Sequence, residues 1–172
     1  YDEPQESSVE ITEEYYQELL AGQSAGLLIV ESKAGVPVLQ ECKTTIREAK
    51  AQKLDELRLY DSSEEVNQFS INKVFGWFNK STRVGLANSI NIEREVGRSK
   101  TNIWLGDTLF ILPIEKAIDM LCQLELYALT CYNVTQGHIN IINQLETKES
   151  IEFYDFRIGY PKKLSFTGYP TL

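Results

Sequence analysis

The chain is 172 residues long, 42% hydrophobic and 24% charged, with a formal net charge of −8. These are globular proportions, enough for one medium domain or a domain with a small appendage, and they exclude wholesale disorder. The acidic balance argues against nucleic acid and against an anionic membrane surface as partners, because both recruit clustered Lys and Arg.

No apolar run reaches the length of a membrane span. The opening "YDEPQESS" has neither the basic nor the apolar region of a secretory leader. It also lacks an initiator Met, so the chain is expected to begin partway into its gene product. Three widely spaced cysteines fit a reducing compartment better than a disulfide framework.

Residues 1–9 read as an extended polar lead-in. "ITEEYYQELLAG" predicts a helix with Thr12 as N-cap and Glu13 and Glu14 in the first turn, where the positive end of the helix dipole favours them. Gly22 or Gly26 is expected to stop it. "LLIVESKAGVPVLQ" predicts a β-hairpin turning at Lys33-Ala34-Gly35, with Pro37 marking an edge strand. Residues 43–62 read as a connecting helix. Its stripe of Ile46, Ala49, Leu54, Leu57 and Tyr60 is thin, so it is expected to be less buried than the other helices.

Over 68–118 one pattern occurs twice. "QFSINKVFGWFN" predicts a hairpin turning at Asn72-Lys73, followed by the helix "STRVGLANSINIEREV" and a stop at Gly97. "NIWLGDTLFILP" predicts a second hairpin turning at Gly106-Asp107, followed by a helix from Ile114. Hairpin–helix, hairpin–helix implies an α+β fold in which both hairpins share one antiparallel sheet covered by helices. The expected organisation is a helix–hairpin unit over 1–42, the connecting helix over 43–62, and a main α+β domain over 63–172.

The last long helix shows a seam. Ala117, Leu121, Leu124, Ala128, Cys131, Thr135, His138, Ile142 and Leu145 recur at steps of four and three. Met120, Tyr127, Val134 and Ile141 widen it on one flank, and Ile118, Tyr132 and Ile139 on the other. So wide a stripe predicts the central helix of a globular core, with Leu121, Leu124, Ala128 and Cys131 against the sheet. About 30 residues would span roughly 45 Å, and Gly137 is the expected place for a kink or break.

Candidate chemistry is sparse. The one histidine, His138, has Cys131 two helical turns away, about 10 Å, too far to share a metal. No CxxC or HxxxH spacing occurs, and there is no GxxxxGK, GxGxxG or GxSxG. His138 therefore reads as structural or surface, and no metal, cofactor or catalytic residue is expected. Glu125 is the candidate buried charge, on the flank of the apolar seam and in reach of Arg83 or Arg94. Trp77, Phe78, Trp104 and Phe110 lie in the two hairpins. They are core residues or, where they face outward, candidate partner-binding residues.

Two stretches resemble known families. "VEITEEYYQELLAGQSAGLLIVESKAGVPVLQ" is similar to a segment of tail-fibre and tail-fibre assembly proteins of tailed phages and prophages. The shared pattern falls on Ile11-Thr12, on 19–26, on Ile29-Val30 and on 35–39. Leu27 replaces the usual lysine, and the usual "D.NG" turn appears as 32–35. Residues 60–164 resemble an uncharacterised domain family of Bacteroidetes phages and prophages, through "YDSSEEVNQF", "TRVGLANSI", "LPIEKAIDML", "LELYALTCYNVTQGH" and "GYPKKL". The resemblance implies a non-enzymatic tail-fibre-associated interaction protein, either an assembly chaperone or a fibre-end component of the virion. It implies a phage tail-fibre or tail protein as partner, with a homo-oligomer as a further expectation. The location it implies is the host bacterial cytoplasm during assembly, or the virion tail. The alternative from another class is a carbohydrate-binding or carbohydrate-active module at the fibre, which would present aromatics and polar groups in a groove or two facing carboxylates in a cleft.

Overall fold

The computed structural model describes residues 9–41 and 44–170. The lead-in expected over 1–9 lies almost wholly outside the described residues, as does the start of the expected connecting helix at Lys43. The chain divides into two compact units, 1–45 and 46–172.

The first unit is a helix on a hairpin. Helix α1 (Glu13–Ser24) starts as the sequence predicts. The Thr12 side chain accepts from the Tyr15 amide at 3.2 Å, and Glu13 and Glu14 occupy the first turn. The helix runs through Gly22 and ends ahead of Gly26. Strands β1 (Leu27–Glu31) and β2 (Pro37–Glu41) pair antiparallel, Ile29 opposite Leu39. Gly22 lets α1 approach β2: a Cβ there would lie 2.3 Å from Leu39 Cδ1. The Tyr15 hydroxyl donates to the Pro37 carbonyl at 2.6 Å and ties helix to hairpin.

The second unit begins with α2 (Ile46–Ser62). This helix is no spacer. Leu57 is fully buried with Ile142 and Phe156, and Leu54 and Tyr60 pack beside it. The stripe is thin because α2 offers one narrow face to a groove between neighbours. A residue count along the helix does not reveal how deeply that face is inserted. Lys50 Nζ donates to the Asn143 carbonyl at 2.6 Å and Lys53 Nζ to that of Glu152 at 2.9 Å.

Strands β3 (Phe69–Ile71) and β4 (Val74–Gly76) form the first expected hairpin, and β5 (Lys100–Leu105) and β6 (Thr108–Pro113) the second. The two hairpins do not share a sheet, which corrects the expectation of one antiparallel sheet. The first belongs to a three-stranded sheet in the order β4-β3-β7, where β7 (Ser165–Phe166) runs parallel to β3; the second is a separate two-stranded ribbon. Three-residue strands offer little edge for further pairing. The hairpins meet by packing instead: a Cβ on Gly76 would lie 2.4 Å from Leu105 Cδ1.

Residues 164–170 connect the two sheets. The Ser70 amide donates to the Leu164 carbonyl and the Asn72 amide to that of Phe166, while the Ile111 amide donates to the Pro170 carbonyl at 3.2 Å. The Asn72-Lys73 turn holds positive φ at both residues, 48° and 70°, the geometry of a two-residue type I′ hairpin. The Asn72 side chain donates to the Tyr169 carbonyl and accepts from its amide, which fixes the turn.

Helices follow each hairpin as expected. Helix α3 (Lys80–Glu95) is capped by the Asn79 side chain, which accepts from the Thr82 amide at 2.9 Å. Helix α4 (Ile114–Gln144) runs 31 residues without a break at Gly137. Ala117, Leu121 and Leu124 on α4, with Met120, pack against Phe69, Ile103, Phe110 and Leu112 in the main core. Cys131 packs instead with Val66 and Tyr127, and Ala128 is only half-buried, so neither lies against the sheet as expected. The short α5 (Lys148–Glu152) then turns the chain back along α2. No described helix is long and apolar enough to cross a membrane.

Candidate interaction surface

Strand alternation decides which hairpin aromatics reach the surface. On β5 every second residue is buried: Thr101, Ile103 and Leu105 point inward, and Lys100, Asn102 and Trp104 point outward. Phe110 pairs opposite Ile103, faces inward and is fully buried. Phe78 packs on Phe69, ring centroids 5.2 Å apart, and is 6% exposed. Phe78 and Phe110 therefore present nothing to a partner, a correction to their reading as candidate contacts. Trp77 is half-buried, edge-on to Tyr127, with the Arg83 guanidinium 5.3 Å from its ring centre. Trp104 is 61% exposed, opposite Leu109 and near Ile111 on the outer face of the ribbon. On its other side β5 pairs with no described strand.

The ion pair expected at Glu125 forms, with the burial reversed. Arg83 Nε meets Glu125 Oε2 at 2.6 Å, but the Arg83 side chain is 8% exposed and that of Glu125 52%. Arg83 also donates through Nη1 to the Phe78 carbonyl at 2.7 Å. The buried charge is the arginine, whose long stem reaches from α3 under Trp77, and the shorter Glu125 side chain stays at the rim of α4.

His138 is a buried structural residue. Its Nε2 lies 2.9 Å from the Ile158 carbonyl, an acceptor only, so Nε2 carries a proton. Its Nδ1 lies 2.6 Å from the Tyr154 hydroxyl, and the ring stacks on Tyr160. One turn away, the Thr135 hydroxyl contacts Asp61 Oδ1 at 2.6 Å and the Tyr160 hydroxyl at 2.8 Å. Together these bonds hold the segment after α5 onto α4. Burial raises the pKa of the Cys131 thiol, and the nearby Asp61 charge adds to the shift. Burial likewise raises the Tyr127 phenol far above its usual range; its hydroxyl donates to the Val66 carbonyl at 2.8 Å. These groups stay protonated at neutral pH and serve as packing and hydrogen-bond donors. Among the described residues no group of three His, Cys, Asp or Glu side chains comes together to hold a metal ion.

A second surface feature escaped the sequence. Three shallow depressions join end to end by sharing residues. The first, between α2, α3 and α4, has half-buried Ala128 and exposed Tyr132. It shares Asn67 and Trp77 with the second, which shares Gln68 and Phe75 with the third, beside Lys163. Phe75 is 64% exposed on β4. Period-two alternation could have flagged Phe75, because its neighbours Val74 and Gly76 turn the other way. No sequence signal would have joined α4 to β4 along one trench.

No family model, curated protein or solved structure matches the chain.

Proposed function

We propose that the chain is a non-enzymatic, phage tail-fibre-associated interaction protein, an assembly chaperone or fibre-end component. It would act in the host cytoplasm during assembly and, as a fibre-end component, in the virion tail. The reading starts from the resemblance of residues 9–40 to tail-fibre and tail-fibre assembly proteins and of residues 60–164 to an uncharacterised domain family of phages and prophages. The observation that carries it is the β5–β6 ribbon, where a six-residue strand unpaired on one side lies beside exposed Trp104. An unpaired strand of a fibre subunit fits there. It would add main-chain hydrogen bonds along β5 and cover the indole, which hides its own edge until the fibre assembles.

The test is co-expression with the neighbouring fibre gene. The native chain is expected to keep the fibre soluble and co-purify with it. Trp104→Ala, and Asn102→Pro on the free edge, should lose the fibre, Trp104→Ala without a change in melting temperature. A fibre retained by both variants would remove this surface from consideration. Presence of the chain in purified particles separates a fibre-end component from a chaperone.

The trench favours a second reading, a carbohydrate-binding module. Exposed Phe75 and Tyr132 offer rings for stacking on sugar faces, and Asn67 and Gln68 offer amides between them. Saturable binding of oligosaccharides that is lost in Phe75→Ala, with fibre binding intact, would select it.

A further inference from the structure

Strand alternation sorts the two faces of the three-stranded sheet. Phe69, Ile71 and Phe166 turn into the main core. Phe75, Ser70 and Ser165, side by side across β4, β3 and β7, therefore turn to the opposite face. That face is the third depression of the trench, and its lining differs from the other two. Asp61 lines the first depression and Glu64 the second, whereas the third is lined by Lys73 and Lys163 and by no carboxylate. Its polar groups are mostly donors. The Ser70 hydroxyl donates to Ser165 Oγ at 3.0 Å, which leaves the Ser165 hydroxyl its own proton. Lys73 forms no ion pair among the described residues. Lys163 Nζ is held only loosely, 3.4 Å from Gln68 Oε1 and 3.6 Å from Glu65 Oε2, and the Glu65 side chain is 71% exposed.

We propose that this depression binds a sugar residue that carries a carboxylate. The inference rests on the carbohydrate reading of the trench and names the class of saccharide it would take. The exposed Phe75 ring covers the apolar face of the sugar. Lys73, Lys163 and the Ser165 hydroxyl donate to its carboxylate, and bonds to an ionised acceptor are roughly twice as strong as neutral ones. The chain as a whole is acidic, at a net charge of −8. Contact distances nevertheless lie well inside the screening length of about 10 Å at 0.1 M salt, so two adjacent ammonium groups outweigh carboxylates spread over the rest of the surface. The sorting of charge also gives the saccharide a direction. Its acidic residue lies at the β3–β7 end, and uncharged residues run on towards Glu64 and Trp77.

The probes are trisaccharides of galacturonate, glucuronate and mannuronate and their methyl esters, which keep the sugar faces and lack the charge. Each is titrated calorimetrically against the full chain, beside uncharged oligosaccharides. The expected result is saturable binding of at least one acid, with its ester about tenfold weaker. Lys73→Gln/Lys163→Gln should bring the acid down to the level of its ester and melt like the native chain, because both lysines are exposed. Phe75→Ala should weaken acid and ester alike. An ester bound as tightly as its acid, a double variant that still prefers the acid, or binding of uncharged oligosaccharides alone would overturn the acidic sugar and leave the carbohydrate reading standing. Triglutamate bound as tightly as the best acid would overturn it too, because the site would then take any anion. No binding of any saccharide would overturn both.

Discussion

The two units of this chain hold their shape in different ways. In the helix–hairpin over 9–41 each element touches the next in sequence, and the buried side chain among its described residues is Leu19. The body over 46–170 buries several clusters, and they join residues far apart in the chain: Leu57 with Ile142 and Phe156, Val66 with Tyr127, Phe69 with Phe166. A unit of some forty residues with so small a core is marginal by itself. The first unit therefore rests on caps, a tight turn and the contacts of α1 with β2 through Gly22 and Tyr15, and the second on inserted apolar surface.

The largest test of that contrast is Leu57→Ala. If α2 belongs to the body, removing its fully buried leucine should lower stability by about 2–5 kcal/mol in denaturant unfolding. A connecting helix would lose almost nothing, and such a result would return α2 to the role its thin stripe implied.

His138→Ala comes next. It strands the Ile158 carbonyl and the Tyr154 hydroxyl and removes a ring stacked on Tyr160. The expected loss is about 1–3 kcal/mol, with early proteolysis around 154–160 before the body unfolds. A variant that melts like the native chain would show that the segment is held by other contacts.

Gly22→Ala probes the smaller unit alone. Alanine favours the helix by about 1 kcal/mol. Its Cβ, however, would collide with Leu39, 2.3 Å from Cδ1 and 3.0 Å from Cγ, and overpacking costs about 1–3 kcal/mol. Amide exchange should quicken across α1 and β2 and stay unchanged in α4. Slower exchange in the first unit would mean that Leu39 simply turns aside.

The smallest effect concerns pH. Burial raises the Cys131 pKa in the folded chain, so the folded state holds its proton longer than the unfolded state does. Its contribution to stability is complete below the ordinary thiol pKa of ~8.5 and falls as pH rises beyond that. Unfolding midpoints measured across this alkaline range should drop, and drop less in Cys131→Ala. Exposed Cys122 should react with a thiol reagent far ahead of Cys131 at neutral pH.

Much of the fold was legible because it is local. Thr12 and its acidic first turn, Lys33-Ala34-Gly35, Asn72-Lys73, Gly106-Asp107 and the starts of α3 and α4 are set by capping and turn chemistry within a few residues, and an α+β fold follows from their order. The seam from Ala117 to Ile142 was legible because helical periodicity places those residues on one side whatever they meet. Gly137 does not break α4: a helix already bound along its length tolerates the small intrinsic cost of one glycine. The pairing of Arg83 with Glu125 was readable as opposite charges seeking each other, but which one is buried depends on side-chain length and on the position of Trp77.

What only the tertiary structure decided are the long-range meetings. The tail segment reaches β3 and β6, so two hairpins that resemble parts of one sheet are kept as two. Phe110 was drawn inside while Trp104 and Phe75 stayed outside, because strand register, not residue type, chooses the face, and Phe78, beyond the end of β4, was drawn inside by packing on Phe69. Composition and periodicity determine which surfaces seek burial. Their partners are chosen by the close packing of elements far apart in sequence, and no window along the chain contains that information.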